Sequence, residues 1–314
     1  MLCVVMILKP SALKAQQDFI NGFYMFNPLA FNPAITGVND QLVLSGIVRE
    51  QWTGLNGAPN TQYFNAHMPV FTWYDRYDRP GNITYPTGLS TGIMLLNDKI
   101  ASTDDIEGIR LTRVSIPIGT RIRLTKSGLR LSFGLRVDGA RFSANLDGAR
   151  QDGGDVVSSP PEYYLDFSSG LYLYHTKWYM GVSMTNMRAH ELSGFDYSMV
   201  HHYYASAGYA QPINQGLVLR LTTLATVVYG TPFTMTVTPA AIIQDNIETG
   251  ITYRYHDMIG AFFSFKPLPN LKAGYWYEYP IGAKTGRIGA THEVMLQMTF
   301  ERFKKRVVSP RYFW

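Results

Sequence analysis

The feature that most constrains this chain is an alternation of apolar and polar residues that repeats from about residue 41 to residue 300. The segment 129–137 reads Leu-Arg-Leu-Ser-Phe-Gly-Leu-Arg-Val, so every second side chain is apolar. Successive side chains of a β-strand point to opposite faces, and such a strand has one apolar and one polar face. Runs of about ten residues exceed most soluble strands and match the length that crosses a bilayer at a tilt. The pattern predicts an all-β fold, a single transmembrane antiparallel up-and-down β-barrel.

Counting the alternating runs predicts fourteen strands. An even number is expected of a single-chain barrel whose two ends both lie on the periplasmic side. The predicted strands are 41–51, 61–71, 88–97, 106–119, 128–141, 164–175, 177–186, 201–211, 216–229, 232–243, 247–256, 258–266, 270–279 and 290–300.

Connection lengths predict the orientation, because outer-membrane barrels have short periplasmic turns and longer outer loops. We place the long connections 142–163 and 188–200 outside, and short ones such as 244–246 inside. The connection 72–87 is an exception, since it is long but falls on the inner side.

Composition separates this chain from several other classes. Hydrophobic residues make up 46% and the mean hydropathy is −0.08, which is too polar for a helical membrane bundle. The 14% aromatic content, with 21 Tyr, is typical of interfacial girdles, although a Tyr-rich soluble β-domain remains an alternative. The net charge of +5 comes without a basic stripe interleaved with aromatics, so we expect no nucleic-acid partner.

The chain divides into four predicted regions. An apolar run at the start is followed by small residues up to Ala15, the pattern of an export signal. The single cysteine, Cys3, lies in that piece, so we expect no disulfide in the exported chain. The regions are a signal peptide at 1–15, an irregular segment at 16–40, an outer-membrane β-barrel at 41–300 and a basic, aromatic tail at 301–314.

The irregular segment contains two Asn-Pro steps, which break both helical and strand patterns. A barrel of this width leaves a lumen that water, loops or another segment must occupy. We therefore expect residues 17–40 to fold into or across the periplasmic mouth.

Fifteen residues in ordered motifs carry a resemblance to a known family. They are Tyr24, Asn27, Pro28, Asn32, Pro33, Gly37, Arg49, Gln51, Trp52, Gly57, Pro59, Asn97, Asp98, His292 and Glu293. Together they resemble the PorP/SprF family, outer-membrane proteins of the type IX secretion system of Bacteroidetes. The chain departs from the family pattern in the long 72–87 connection and at 275–279.

The resemblance implies a protein of the cell outer membrane that serves type IX protein secretion and gliding motility and is not an enzyme. It implies periplasmic lipoprotein and ring components as partners. It also implies export or anchoring of a large adhesin-like cargo that carries a C-terminal targeting domain. A small-solute pore of the outer membrane remains the alternative function.

The tail is a candidate docking peptide for a periplasmic partner. Exposing its aromatic end to water is unfavourable, so we expect that end to be buried against another surface. A solvated end is the alternative. The candidate docking residues are Lys304, Lys305, Arg306, Tyr312, Phe313 and Trp314.

No residue pattern predicts a catalytic, cofactor or metal site. His201 and His202 are neighbours on a predicted strand and face opposite sides, which disfavours a shared metal. His67 with Ser45 or Asn65 could form a lipase pair on the barrel wall, but the chain has no Gly-x-Ser-x-Gly elbow.

Two further polar patterns have structural explanations. The His292-Glu293 pair lacks the second histidine of a zincin motif, so we expect a hydrogen-bonding role in the lumen. Several arginines are predicted to face inward and either pair with acids or line a channel. These arginines are Arg110, Arg130, Arg136 and Arg220.

Overall fold

A computed structural model describes most of the chain. The described residues are 22–73, 87–100, 108–125, 127–145, 158–188, 191–192, 197–281, 288–301 and 312–313. The predicted signal peptide, the inner connection at 74–86 and the tail residues Lys304, Lys305, Arg306 and Trp314 lie outside them.

Fourteen strands form one closed antiparallel barrel, as the alternation predicts. The barrel strands are β1 (Gln41–Glu50), β2 (Asn60–Trp73), β3 (Thr87–Ile100), β4 (Gly108–Arg123), β5 (Arg130–Asn145), β6 (Ser158–Tyr174), β7 (Trp178–Thr185), β10 (His202–Asn214), β11 (Leu217–Val228), β12 (Thr234–Ile243), β13 (Ile247–Arg254), β14 (Met258–Leu268), β15 (Leu271–Pro280) and β16 (Thr291–Glu301). Each strand pairs with its neighbours in the barrel, and β1 closes the wall by pairing with β16.

Two shorter strands, β8 (Glu191–Leu192) and β9 (Tyr197–Ser198), pair with each other in the long outer connection between β7 and β10. Across the described ranges, no helix has the length and apolarity to cross a membrane.

The two faces of each strand differ as expected. On β5, Phe133, Leu135 and Val137 are exposed on the outer surface, while Arg136 and Asp138 are buried in the lumen. Because no water competes in the hydrocarbon layer, closure of the hydrogen-bonded wall stabilises such a barrel.

Local sequence explains the short turns of the periplasmic end. Gln244 and Asp245, between β12 and β13, both have positive φ, at 52° and 55°. Positive φ at two successive turn residues is the type I′ geometry that matches the twist of a tight hairpin.

Some predictions of detail differ from the structure. β6 begins at Ser158, six residues before the predicted start, because a bulge between Phe142 and Ala144 on β5 lets pairing continue past Pro160. Arg110 was predicted to face inward but lies on the outward face of β4, and Arg113 is the buried arginine near it. The two arginines are three positions apart, so they cannot share a face of one strand.

Residues 22–40, here called the lumen plug, lie inside the barrel, and most of their side chains are buried. The two Asn-Pro steps begin two single-turn 3-10 helices, Pro28–Ala30 and Pro33–Ile35, within the segment that the sequence predicts to be irregular. Proline suits the first position of such a turn because its missing N–H would have no partner there.

Candidate functional site: the filled lumen

The plug is anchored near the outer end of the barrel by a buried carboxylate. Glu293 accepts hydrogen bonds from the backbone N–H groups of Gly22 and Phe23 at 2.6 and 3.0 Å. The same carboxylate pairs with Arg49, which also binds Glu278 at 3.0 Å. All three charged side chains are almost completely buried. Charge-assisted hydrogen bonds of this kind are the strongest available to a backbone amide.

An aromatic cluster packs the plug against the wall beside this carboxylate. Phe23 contacts Trp276 edge to face with ring centroids 5.2 Å apart, and Phe26 contacts Phe262 at 6.0 Å. Phe262 and Trp276 are stacked at 5.1 Å, and all four rings are buried. Burying one such ring is worth about 2–3 kcal/mol, so the cluster opposes withdrawal of the plug.

Polar contacts hold the middle of the plug. The Tyr24 hydroxyl lies 3.0 Å from Oγ1 of Thr222 and donates to Oγ1 of Thr238 at 3.2 Å. Asn27 accepts a hydrogen bond from the Asn65 amide at 2.9 Å. The wall contributes an amide group from β2 and hydroxyl groups from the neighbouring strands β11 and β12, which are far from β2 in the sequence.

Asn32 joins the second turn of the plug to the wall. Its Nδ2 group donates to the carbonyls of Leu171 and Val182 at 3.0 and 3.4 Å, and its Oδ1 accepts from the N–H of Ala34 at 2.9 Å. The wall makes room with Gly170, where a Cβ would lie 2.1 Å from the Asn32 Oδ1. One asparagine therefore caps a plug turn and satisfies two wall carbonyls.

Arginine and serine side chains bind the plug backbone directly. Arg136 donates to the carbonyl of Ala30 at 2.9 Å and to the Ser168 hydroxyl at 3.0 Å. Ser132 donates to the carbonyl of Ala34 at 2.6 Å, and Ser183 donates to that of Phe31 at 2.8 Å. Of the two roles predicted for inward arginines, Arg136 has the first, because its Nε pairs with Asp138 at 2.8 Å inside the filled lumen.

The plug ends at the periplasmic mouth, which agrees with the predicted location, although its first residues reach the outer half of the lumen. The N–H of Gly37 donates to Nδ1 of His67 at 3.1 Å, and its carbonyl accepts from Arg121. Gly37 has φ +68°, and a Cβ there would lie 2.1 Å from Oγ of Ser90. The position therefore requires glycine for both backbone and space.

Asp40 fixes the junction between the plug and β1. Its carboxylate pairs with Arg121, and Arg130 lies 3.9 Å away. Burial raises the pKa of Asp40 to about 6, while the two guanidinium groups oppose that rise. The pair with Arg121 holds the plug end against β4.

The end of the chain also enters the periplasmic mouth. Phe313 is buried and meets the Tyr179 ring edge to face at 4.9 Å, and Gly208 leaves room for it. The carbonyl of Tyr312 accepts a hydrogen bond from Arg220 at 3.1 Å. In this conformation the Phe313 ring is covered by the barrel, and docking of the tail to a periplasmic partner stays a prediction.

The outer-loop motifs form a second cluster. The N–H of Gln51 donates to the carbonyl of Pro59 at 2.9 Å, and Trp52 and Gly57 adopt positive φ within the same loop. The following residue, Thr53, donates from its N–H to the carbonyl of Ala290 at 2.9 Å. Motifs from the start and the end of the barrel therefore meet at its outer rim.

The remaining motif residues sit on the strands near that rim. Asp98 is buried and accepts from the Thr61 hydroxyl at 2.8 Å, while Asn97 faces outward. His292 lies on the outer surface, where its Nδ1 is 2.6 Å from the Tyr275 hydroxyl. We predicted a lumen role for the His292-Glu293 pair, and only Glu293 has one, since adjacent strand residues face opposite sides.

The histidines considered as catalytic or metal-binding candidates make structural hydrogen bonds. His67, Ser45 and Asn65 all face the lumen, and His67 accepts from the plug backbone. His202 is buried with its Nδ1 2.7 Å from Nδ2 of Asn186, while Nδ1 of His201 is 2.7 Å from the Asn186 carbonyl. Among the residues that the structure describes, no three His, Cys, Asp or Glu side chains gather as metal ligands would.

Several residues that hold the plug had no signal in the sequence. Glu278 and Trp276 stand in an ordinary aromatic strand, and Ser132 and Ser183 are unremarkable inward positions. Their roles depend on the register between strands and on the path of the plug, which an alternation pattern does not contain.

Comparisons with known proteins agree with this architecture. The chain is similar to the Ralstonia pickettii toluene transporter TbuX, with TM-score 0.51 and 10% identity over 90% of this chain and 94% of that one. It is also similar to the Acinetobacter baumannii outer membrane protein Omp33, with TM-score 0.46 and 9% identity over 84% and 100% of the two chains. At these identities the first likeness shows the barrel fold alone.

No curated protein matches the chain. A family model does: the type IX secretion system membrane protein PorP/SprF matches residues 13–298, which include the plug and nearly the whole barrel. The protein is an outer-membrane β-barrel, and it belongs to the PorP/SprF family of type IX secretion system membrane proteins.

Proposed function

We propose that this barrel serves type IX secretion as a closed component that binds other proteins, and that it does not act as an open pore. The observation that carries the proposal is the lumen plug, which occupies the interior from the level of Glu293 to that of Arg121.

The number and spread of the anchors favour a permanently closed lumen. Hydrogen bonds to the plug come from at least eight described strands, namely β2, β4, β5, β6, β7, β11, β12 and β16. Each hydrogen bond contributes about 1 kcal/mol net, and the aromatic cluster adds several more. A solute path would need most of these contacts to break together, so the lumen is poorly suited to passive transport.

A closed barrel can act only through its two exposed ends and its outer wall. We infer that the periplasmic end binds lipoprotein and ring components of the secretion machinery. We infer that the outer loops hold or pass on a large adhesin-like cargo through its C-terminal domain, as gliding motility would require. Family membership supports these assignments, and the proposal includes no enzymatic step.

Two measurements on the same preparation test the proposal. The full chain, purified from mildly solubilised membranes, should retain periplasmic machinery proteins detectable by mass spectrometry. In planar bilayers the same material should give no steady conductance. A barrel that comes away without protein partners and conducts continuously would instead support the small-solute pore.

A further inference from the structure

A groove on the outer, lipid-facing wall has no role in plugging the lumen. It crosses three neighbouring strands, where Val114 on β4 pairs with Gly139 on β5 and Gly139 pairs with Leu165 on β6. Two residues closer to the outer rim, Arg141 on β5 pairs with Tyr163 on β6. The groove has a volume of about 580 Å³.

The groove exists because Gly139 has no side chain at a lipid-facing position. A Cβ built there would find its nearest neighbours at 3.9 Å, so the space above the backbone is open. Val114 and Leu165 form its two sides, and both are about half exposed. This shape and lining fit an acyl chain lying against the wall.

The rim of the groove carries positive charge. Arg141 and Arg188 both line it. Neither guanidinium has a carboxylate partner among the described residues. A charge on the lipid face is costly at the bilayer midplane and cheap near the interface. The apolar outward positions of β5 continue up to Val137 and Gly139, and Arg141 is the next outward position toward the outer rim. Arg141 therefore lies at the level of the lipid headgroups.

Arg188 is held in place from inside the barrel. Its backbone N–H donates to Oδ1 of Asp166 at 3.0 Å, and Asp166 is buried. The N–H of the preceding Met187 donates to the carbonyl of Phe167 at 3.0 Å. The start of the outer loop is thereby tied to β6, which fixes the backbone from which the Arg188 side chain extends toward the groove.

We propose that this groove binds a phosphorylated lipid of the outer leaflet. One acyl chain lies over Gly139 between Val114 and Leu165, and the phosphate lies between Arg141 and Arg188. Two guanidinium groups suit a phosphate because each can donate two parallel hydrogen bonds. Tyr163 at the rim fits the interface, where an amphipathic ring is favoured.

Native mass spectrometry of the full chain in detergent tests the proposal with three probes. The probes are phosphatidic acid, diacylglycerol with the same acyl chains, and inorganic phosphate. We expect one retained phosphatidic acid per barrel and weaker retention of diacylglycerol. Each arginine near an anionic surface contributes roughly a fivefold gain in affinity, so a double Arg141→Gln, Arg188→Gln variant should bind roughly 25-fold more weakly.

Matched variants separate the groove from general lipid binding. Gly139→Leu fills the groove and should reduce retention, whereas Gly46→Leu, on the outward face of β1 with a comparably open Cβ position, should not. Arg123→Gln, at the opposite end of β4, should leave retention unchanged. A heat-modifiability gel verifies that each barrel is folded.

Equal retention of phosphatidic acid and diacylglycerol by the unmodified protein would overturn the proposal, and that comparison needs no variant. Binding of inorganic phosphate as tightly as phosphatidic acid would also overturn it, because the site would then be an anion site without a lipid component. Undiminished binding by the double arginine variant would show that Arg141 and Arg188 do not bind the phosphate.

Discussion

The carboxylate of Glu293 accepts a hydrogen bond from the backbone N–H of Gly22 across 2.6 Å, although the two residues are 271 positions apart. Glu293 lies on the last strand, opposite Arg49 on the first, so the same carboxylate marks the seam where the barrel closes. The plug and the closing seam therefore depend on one buried charge cluster.

Replacing Glu293 should loosen the plug more than replacing its neighbour. Glu293→Ala removes a partner of Arg49 and both plug hydrogen bonds, whereas Glu278→Ala removes a partner of Arg49 and of Arg254 but neither of these plug hydrogen bonds. Breaking a buried pair costs about 3–5 kcal/mol, so both variants should melt at lower temperature. Only Glu293→Ala should show frequent channel openings in planar bilayers. Similar openings in both would mean that the plug does not depend on this anchor.

Gly37→Ala should destabilise the protein through both strain and overlap. The positive φ costs about 1 kcal/mol for alanine, and the added Cβ would lie 2.1 Å from Oγ of Ser90. Gly54→Ala has the same type of strain, but its added Cβ would have no atom within 4 Å. That variant therefore measures the cost of backbone strain alone.

Melting temperature followed by circular dichroism should thus fall further for Gly37→Ala than for Gly54→Ala. A second change, Ser90→Gly, should recover part of the difference because it removes the overlapping atoms. Identical melting of the two alanine variants would show that the plug can shift away from the wall at this point.

Asn32→Asp should be at least as damaging as Asn32→Ala, even though aspartate preserves the turn cap. The amide group donates to two wall carbonyls, and a carboxylate would face the same carbonyls with no donor. Leaving buried acceptors unsatisfied costs about 1–3 kcal/mol each. Urea unfolding midpoints measure the effect. An aspartate variant as stable as the natural protein would argue against these contacts.

The C-terminal end should detach when its buried ring is removed. Phe313→Ala loses contact with Tyr179, and losing a buried aromatic ring costs about 2 kcal/mol or more. Limited proteolysis followed by mass spectrometry should then release the tail roughly 30-fold faster. Tyr312→Ala should have a smaller effect, because Tyr312 is held through its backbone carbonyl.

The opposite order for the two tail variants would contradict this assignment of contacts. Pull-down of periplasmic proteins with and without residues 301–314 tests the separate prediction that the tail docks to a partner.

The wall of this protein could be predicted well because its physical cause is local. Alternation in a run such as 129–137 determines which side chains face lipid. It does so within one strand, without any information about distant strands. The strand count was correct for this reason. The Arg110 prediction was wrong because Arg113, three positions further along β4, takes the inward face, which leaves Arg110 on the outward one.

The plug could be predicted only in outline. The Asn-Pro steps show that the segment is neither strand nor long helix, and the lumen of a wide barrel needs a filling. Its path depends on pairs such as Glu293 with Gly22 and Asn32 with Leu171, which join residues more than a hundred positions apart. Such pairs follow from barrel register and cannot be derived from one sequence.

Single-channel recording of the unmodified full-length protein in planar bilayers tests the closed-lumen account most directly. The account predicts silence at moderate voltage, and openings when Glu293→Ala weakens the plug. A steady conductance from the natural protein, unchanged by that substitution, would contradict it.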